Sequence, residues 1–264
     1  MKLCKIIKKL FGLLAKILVF AAKITAAMQL FNWVIEGLGR IRNCLHGRQG
    51  NYYEWKHGKI FYTVSGHGTP VVIIHGLKPG DSGLRLLPAE ESLSREHTVY
   101  NIDLLGFGKS DKPWITYTNY IYVLLIRDFL KNVVTEKADI CAFEGSGLSV
   151  LQAKKVYPDL IGSVTLINPC TKESIICPRQ IALRIKKITD LPVYGTFVYN
   201  LYCLLGKAPL DKDTRHVFVS RLTGHLTTNI TNHKNLITDD VVIKNEKKIP
   251  DLPAGDLYAY KSVL

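Results

Sequence analysis

Apolar positions fall along this chain in three regimes. From residue 1 to about residue 38 they dominate, interrupted by lysines at a fixed interval: Lys2, Lys9, Lys16 and Lys23 recur every seven residues, with Lys5 and Lys8 beside the first two. A seven-residue step returns a helix almost to the same face, so the pattern predicts a basic amphipathic helix surrounded by Leu10, Phe11, Leu14, Ile17, Leu18 and Phe20. Between residues 52 and 168 the period shortens. Residues 52–56 and 59–65 alternate apolar and polar around His57-Gly58, which predicts a hairpin. Residues 71–74 form a wholly apolar run ending at His75-Gly76, as a buried strand does. Further strands are predicted over 99–104, 138–143 and 163–168, with helices over about 117–134 and 145–156 between them. Strands alternating with helices predict a mostly parallel sheet covered on both faces. Over residues 178–205 the apolar positions form short helical stretches broken by Pro192 and Gly206.

The charge sharpens the reading of the first segment. The net charge is +13, and residues 1–50 hold nine Lys or Arg against the single Glu36. No zinc-finger spacing, basic-zipper heptad or aromatic-basic motif accompanies that concentration, so a membrane surface is the expected partner and nucleic acid is not. The helix can lie in the interface, form a tilted single span from about Leu10 to Trp33, or be a cleaved signal. The interface disposition fits best, because the longest uncharged run, residues 24–35, is short for a span. Packing of this helix on its own domain is not expected. The localisation expected is membrane-associated, at the cytoplasmic face or through a single-pass anchor. The six cysteines form no CxxC pair, which points to a reducing compartment. No cofactor is expected, and no metal, because the histidines are too dispersed to offer two ligands on one helical face. Gly106-x-Gly108 and Gly145-x-Gly147 each follow a strand but lack dinucleotide or phosphate-loop spacing.

Four motifs in order resemble the α/β-hydrolase family. His75-Gly76 is similar to its oxyanion loop, in which the N–H of the following residue, here Leu77, would stabilise a tetrahedral oxyanion. Asp103-Leu-Leu-Gly106-Phe-Gly108-Lys-Ser110 resembles the family's loop after the next strand, with Asp103, Gly106 and Gly108 as supporting residues. Residues 142–147, Ala-Phe-Glu-Gly-Ser-Gly, stand in the place of the nucleophile elbow, where Gly145 and Gly147 flank the candidates. Tyr157-Pro158 and the strand ending at Asn168-Pro169 complete the series. The resemblance implies an α/β-hydrolase-like fold: a mostly parallel sheet with flanking helices and a helical cap. The expected organisation is an N-terminal helix over 1–42, a hydrolase core over 50–170, and a cap-like segment, expected to be incomplete, over 171–264.

Two registers are open at the elbow, with Glu144 and Ser146 as candidate catalytic residues. The family's strand-to-helix turn is so tight that residues two before and two after the nucleophile must be small. Glu144 is flanked by Ala142 and Ser146, whereas Ser146 is flanked by Glu144 and Leu148. Pro158 also lies fourteen residues after Glu144, the family's usual spacing. Glu144 is therefore the expected occupant, although an ionised carboxylate only accepts hydrogen bonds. In the family the acid follows the next parallel strand after the cap and the His follows the last strand. Neither strand is recognisable in residues 170–264, so the chain is expected to stop before completing a triad. His216, His225 and His233 are read as exposed polar residues, His75 as structural and Asp103 as a loop holder. Two functions follow: a membrane-associated hydrolase of ester-type or small acyl substrates, or a catalytically degenerate binding or scaffold protein. The ligand is a small or lipid-like molecule in either case, and the oligomeric state is open.

Overall fold

The computed structural model describes residues 2–41, 48–78, 80–169, 184, 187–188, 191–205, 217 and 241–244. Seven strands form one sheet in the order β1-β2-β4-β3-β5-β6-β7. Their ranges are β1 Asn51–Trp55, β2 Gly58–Ser65, β3 Thr69–Ile74, β4 His97–Ile102, β5 Ala138–Phe143, β6 Ile161–Ile167 and β7 Val241–Lys244. The hairpin β1-β2 and the β2-β4 pair are antiparallel, and every later pair is parallel. The crossover that puts β4 outside β3 leaves β3 and β5 adjacent in the middle of the sheet. The loops after both strands therefore emerge side by side at one edge, where ligands of open α/β sheets bind.

The central strands carry the apolar runs because both faces are covered. Val72, Ile74, Ile140, Ala142, Val164 and Leu166 belong to a buried cluster with Leu125, Phe129 and Val150 of the helices. Val71, Ile73, Cys141 and Phe143 point to the opposite face and meet Leu86 and Ala89. This two-sided burial is what a wholly apolar strand signals. The helices are α1 Lys2–Ile41, α2 Leu87–Leu93, α3 Asn119–Phe129, α4 Gly147–Val156 and α5 Pro192–Leu205. A π-helical turn, Leu130–Val134, extends α3, and 3-10 turns Gly83–Leu86 and Glu144–Ser146 precede α2 and α4.

Several expectations need correction. The hairpin pairs Trp55 with Gly58, so its turn is Lys56-His57, one residue earlier than the pattern suggested. Gly58 has φ 137°, and a Cβ there would press on Asp111, which fixes the residue type. The helical stretches do break at Pro192, which opens α5, since a first-turn proline gives up no helical hydrogen bond, and α5 ends at Leu205. The sheet also resumes after the cap-like segment. Val241–Lys244 pairs parallel with β6, Val164 opposite Val241, and this is a strand that the pattern did not disclose. Residues 253–264, His216, His225 and His233 lie outside the described residues.

The first helix is continuous over 40 residues and contains an apolar stretch, Ile7–Leu38, long enough to cross a membrane. Its first half stands clear of the rest of the protein. Its second half packs on α5, contrary to expectation: Phe31 meets Phe197 edge-on at 5.1 Å, and Thr25 shares a 2.6 Å hydrogen bond with Tyr194.

Candidate active site at the strand-to-helix elbow

The turn after β5 is built by a single unusual residue. Glu144 has φ 51°, in the left-handed region, and Phe143 before it is extended. For a non-glycine residue this conformation costs about 1–3 kcal/mol and persists where surrounding packing over-determines it. Ala142 and Ser146 flank it, and both are buried. Steric reasoning from the sequence had put Glu144 at this position, and the backbone does place it at the apex.

The Glu144 side chain is 9% exposed and is held by two cations. Its Oε1 accepts from Lys78 Nζ at 3.0 Å and from Arg85 Nη2 at 3.1 Å. Arg85 also reaches Asp81 Oδ1 at 3.3 Å, while the Lys78 backbone N–H donates to Asp81 Oδ2 at 2.8 Å. Gly76 is the floor of this cluster: a Cβ there would stand 2.5 Å from Asp81 Oδ2 and 2.8 Å from Glu144 Oε2. Two carboxylates and two cations thus form a neutral quartet over the β3 loop. Asp81 is fully buried, and that burial pushes its pKa up to about 6; Arg85 pulls it down and Glu144 pushes it up further. Glu144 Oε2 has no hydrogen-bond partner.

Ser146 is wholly buried, and its hydroxyl donates to the Phe143 carbonyl at 2.8 Å, with the Ile74 carbonyl at 3.4 Å. It closes the turn and faces backbone. Gly145 and Gly147 carry the chain from Glu144 into α4; a Cβ at Gly147 would crowd Leu166 at 3.2 Å. Leu77, the expected oxyanion donor, is buried beside Gly145.

His75 and Asp103 hold the neighbouring loops. Leu104 N–H donates to His75 Nε2 at 3.0 Å, so that nitrogen carries no proton, and Nδ1 faces the Gly76 carbonyl at 2.5 Å. The ring is neutral: burial lowers its pKa to about 4, against a smaller upward pull from Asp103. The Asp103 carboxylate accepts from Gly83 N–H at 2.6 Å and Lys109 N–H at 2.8 Å, and pairs with Arg48 at 2.6 Å. The Ser110 hydroxyl donates to the Asp103 carbonyl. Gly108, at φ 50°, is the point where a Cβ would strike the Asp103 carboxylate. Gly106, at φ 90°, lets the same loop pass Tyr117.

Sequence reasoning had not found Lys78, Asp81, Arg85 or Arg48. The first three follow His75-Gly76 within ten residues, and a cluster of charges in a loop leaving a buried strand was the available signal. Among the described residues, no group of three His, Cys, Asp or Glu is arranged to hold a metal ion.

No family model matches the chain. An uncharacterized protein of Mycobacterium tuberculosis is 29% identical over 107 residues, covering 40% of this chain and 31% of that protein. The 2-hydroxy-6-oxo-6-(2'-aminophenyl)hexa-2,4-dienoic acid hydrolase of Metapseudomonas resinovorans is 30% identical over 112 residues, covering 40% of this chain and 38% of that protein. The chain therefore spans well under half the length of these curated relatives. Among solved structures, an alpha/beta hydrolase fold protein from Burkholderia ambifaria superposes with TM-score 0.56 at 20% identity, covering 74% of this chain and 78% of the other. The enol-lactonase from Burkholderia xenovorans gives TM-score 0.56 at 14% identity, covering 68% and 75%. A mixed sheet with β4 crossed outside β3, a left-handed residue at the end of β5 and these superpositions lead to one assignment: the chain has the α/β-hydrolase fold.

Proposed function

We propose that this chain is a membrane-associated α/β-hydrolase-fold protein that binds a small or lipid-like molecule without hydrolysing it. The observation that carries this reading is the Glu144 carboxylate at the elbow, paired with Lys78 and Arg85. An ester hydrolase needs a hydroxyl there that can pass its proton to a base, and an ionised carboxylate has none to give. A carboxylate nucleophile at this position would be weakened by the two cations on Oε1, which draw charge away from the unpaired Oε2. Ser146, the other candidate, spends its proton on a backbone carbonyl. Membrane association is supported by the lysine stripe, with Lys8, Lys9 and Lys16 exposed, and by the large apolar side chains exposed between them, such as Leu10, Phe11, Leu14, Leu18 and Phe20.

The test is hydrolysis of p-nitrophenyl esters of increasing acyl length by the full chain in detergent, with fluorophosphonate labelling of the same sample. Neither turnover above buffer nor labelling is expected. Turnover lost in Ser146→Ala but kept in Glu144→Gln would overturn the reading and restore a serine hydrolase.

A further inference from the structure

The packing of α1 on α5 is inside out for a protein in water. The polar side chains face inward: Asn32 is 1% exposed and donates to the Val193 carbonyl at 3.1 Å, and Asn200, also buried, donates to Asn32 Oδ1 at 3.1 Å. Ile35, Tyr199 and Cys203 are buried with them and Phe31 packs on Phe197, but many large apolar side chains of the pair face outward. On α5 these are Tyr194, Val198, Leu201, Tyr202, Leu204 and Leu205, the last 75% exposed; on α1 they are Leu30, Trp33 and Val34. None of the fourteen residues of α5 is charged. In water a helix turns its Asn out and its Leu in, whereas in lipid every polar group must be satisfied within the protein and the outer surface is apolar. The same pair of helices is flanked by cations, with Lys16 and Lys23 on α1 and the exposed Arg184 and Lys187 shortly before α5.

We infer that α5, and not α1 alone, is seated in an anionic phospholipid bilayer, its outer face in the interfacial and upper acyl region. This inference rests on the membrane association proposed above and adds a second contact from a segment far along the chain. At 1.5 Å per residue α5 is about 21 Å long, too short to cross a core of about 30 Å, so it lies along the membrane rather than through it. The contact holds for both dispositions of α1. If α1 lies flat, α5 lies beside it; if α1 crosses from about Leu10 to Trp33, residues 25–32, which hold α5, form the last third of the span, in the acyl region next to the far boundary. The flanking cations select an anionic surface, because each is attracted to the headgroup charge of such lipids. Tyr194 and Tyr202 place an apolar ring and a polar tip at the depth where such side chains concentrate.

The experiment is photo-crosslinking of the full chain bound to phosphatidylcholine–phosphatidylserine vesicles that carry a diazirine on the acyl chain, with labelled residues mapped by mass spectrometry. Labelling is expected on α1 and on Val198, Leu201, Tyr202 and Leu205, roughly tenfold above that on the equally exposed Tyr52 and Trp114. Labelled α1 with unlabelled α5 would overturn this inference and leave the membrane reading standing. No labelling of either helix would overturn both.

Discussion

Replacing Asp81 by Asn should change stability in a way that depends on pH, with a sign fixed by the quartet. In the folded protein burial raises the Asp81 pKa from 3.8 to about 6. A raised carboxyl pKa means that the folded state holds its proton more tightly than the unfolded chain. The associated stability is fully present below about pH 4 and is lost as pH rises through 6. A shift of about two units corresponds to about 3 kcal/mol, at about 1.4 kcal/mol per unit. Asp81→Asn keeps the shape and cannot ionise, so it resembles the protonated aspartate at every pH. The stability of the variant minus that of the wild type should therefore grow by about 3 kcal/mol between pH 4 and pH 7.5. Taking the difference cancels the titrating groups that do not interact with Asp81, including His75. Urea unfolding of both proteins in the same detergent across that range is the assay. A difference that stays constant with pH would refute the buried-quartet account, because it would mean that Asp81 titrates alike in the folded and unfolded chains.

Three further outcomes follow from the same geometry. In the Asp81→Asn background, where the opposing carboxyl is gone, acidification from pH 6.5 to 4 should cost about 3 kcal/mol through His75, whose depressed pKa keeps it neutral while the unfolded imidazole protonates; pairing that variant with His75→Gln should flatten the slope in urea titrations. Arg48→Leu strips the cation from Asp103, which is fully buried, and should lower stability by about 3–5 kcal/mol, read as a drop in thermal midpoint. Ser146→Ala removes one buried hydrogen bond to a carbonyl and should cost about 1 kcal/mol in the same melts, with no effect on ligand binding.

Much of the core was legible because its signals are local. The run Val71–Ile74 and the stretch Ile140–Phe143 are apolar on both faces of a central strand, and a sequence states that directly. The position of Glu144 was legible for the same reason, since the size of residues two away decides which side chain fits the turn. What escaped is non-local or short. Lys78 and Arg85 reach Glu144 across 66 and 59 residues, and no spacing rule connects them. The strand β7 has four residues and follows Asp239-Asp240, too brief for a period to show. The helix α2 holds Pro88 and two glutamates in seven residues, so neither propensity nor an apolar face announces it. The docking of α1 was missed because its apolar side chains gave no sign that Asn32 was the residue facing a partner.

The bond between Asn32 and Asn200 joins residues 168 apart in sequence, and this imposes an order of events during synthesis. At about 5–20 residues per second, a ribosome needs on the order of ten to thirty seconds to make the second residue after the first. Throughout that interval α1 exists without α5, with an amide at position 32 that has no protein group to satisfy it and a long apolar surface that cannot remain in water. On the proposed membrane association, the nascent helix is received by a targeting factor or by lipid before the hydrolase-fold sheet has been made. Recruitment to the bilayer would then be an early step in biogenesis, and completion of the α1–α5 pair a late one, on a membrane already engaged.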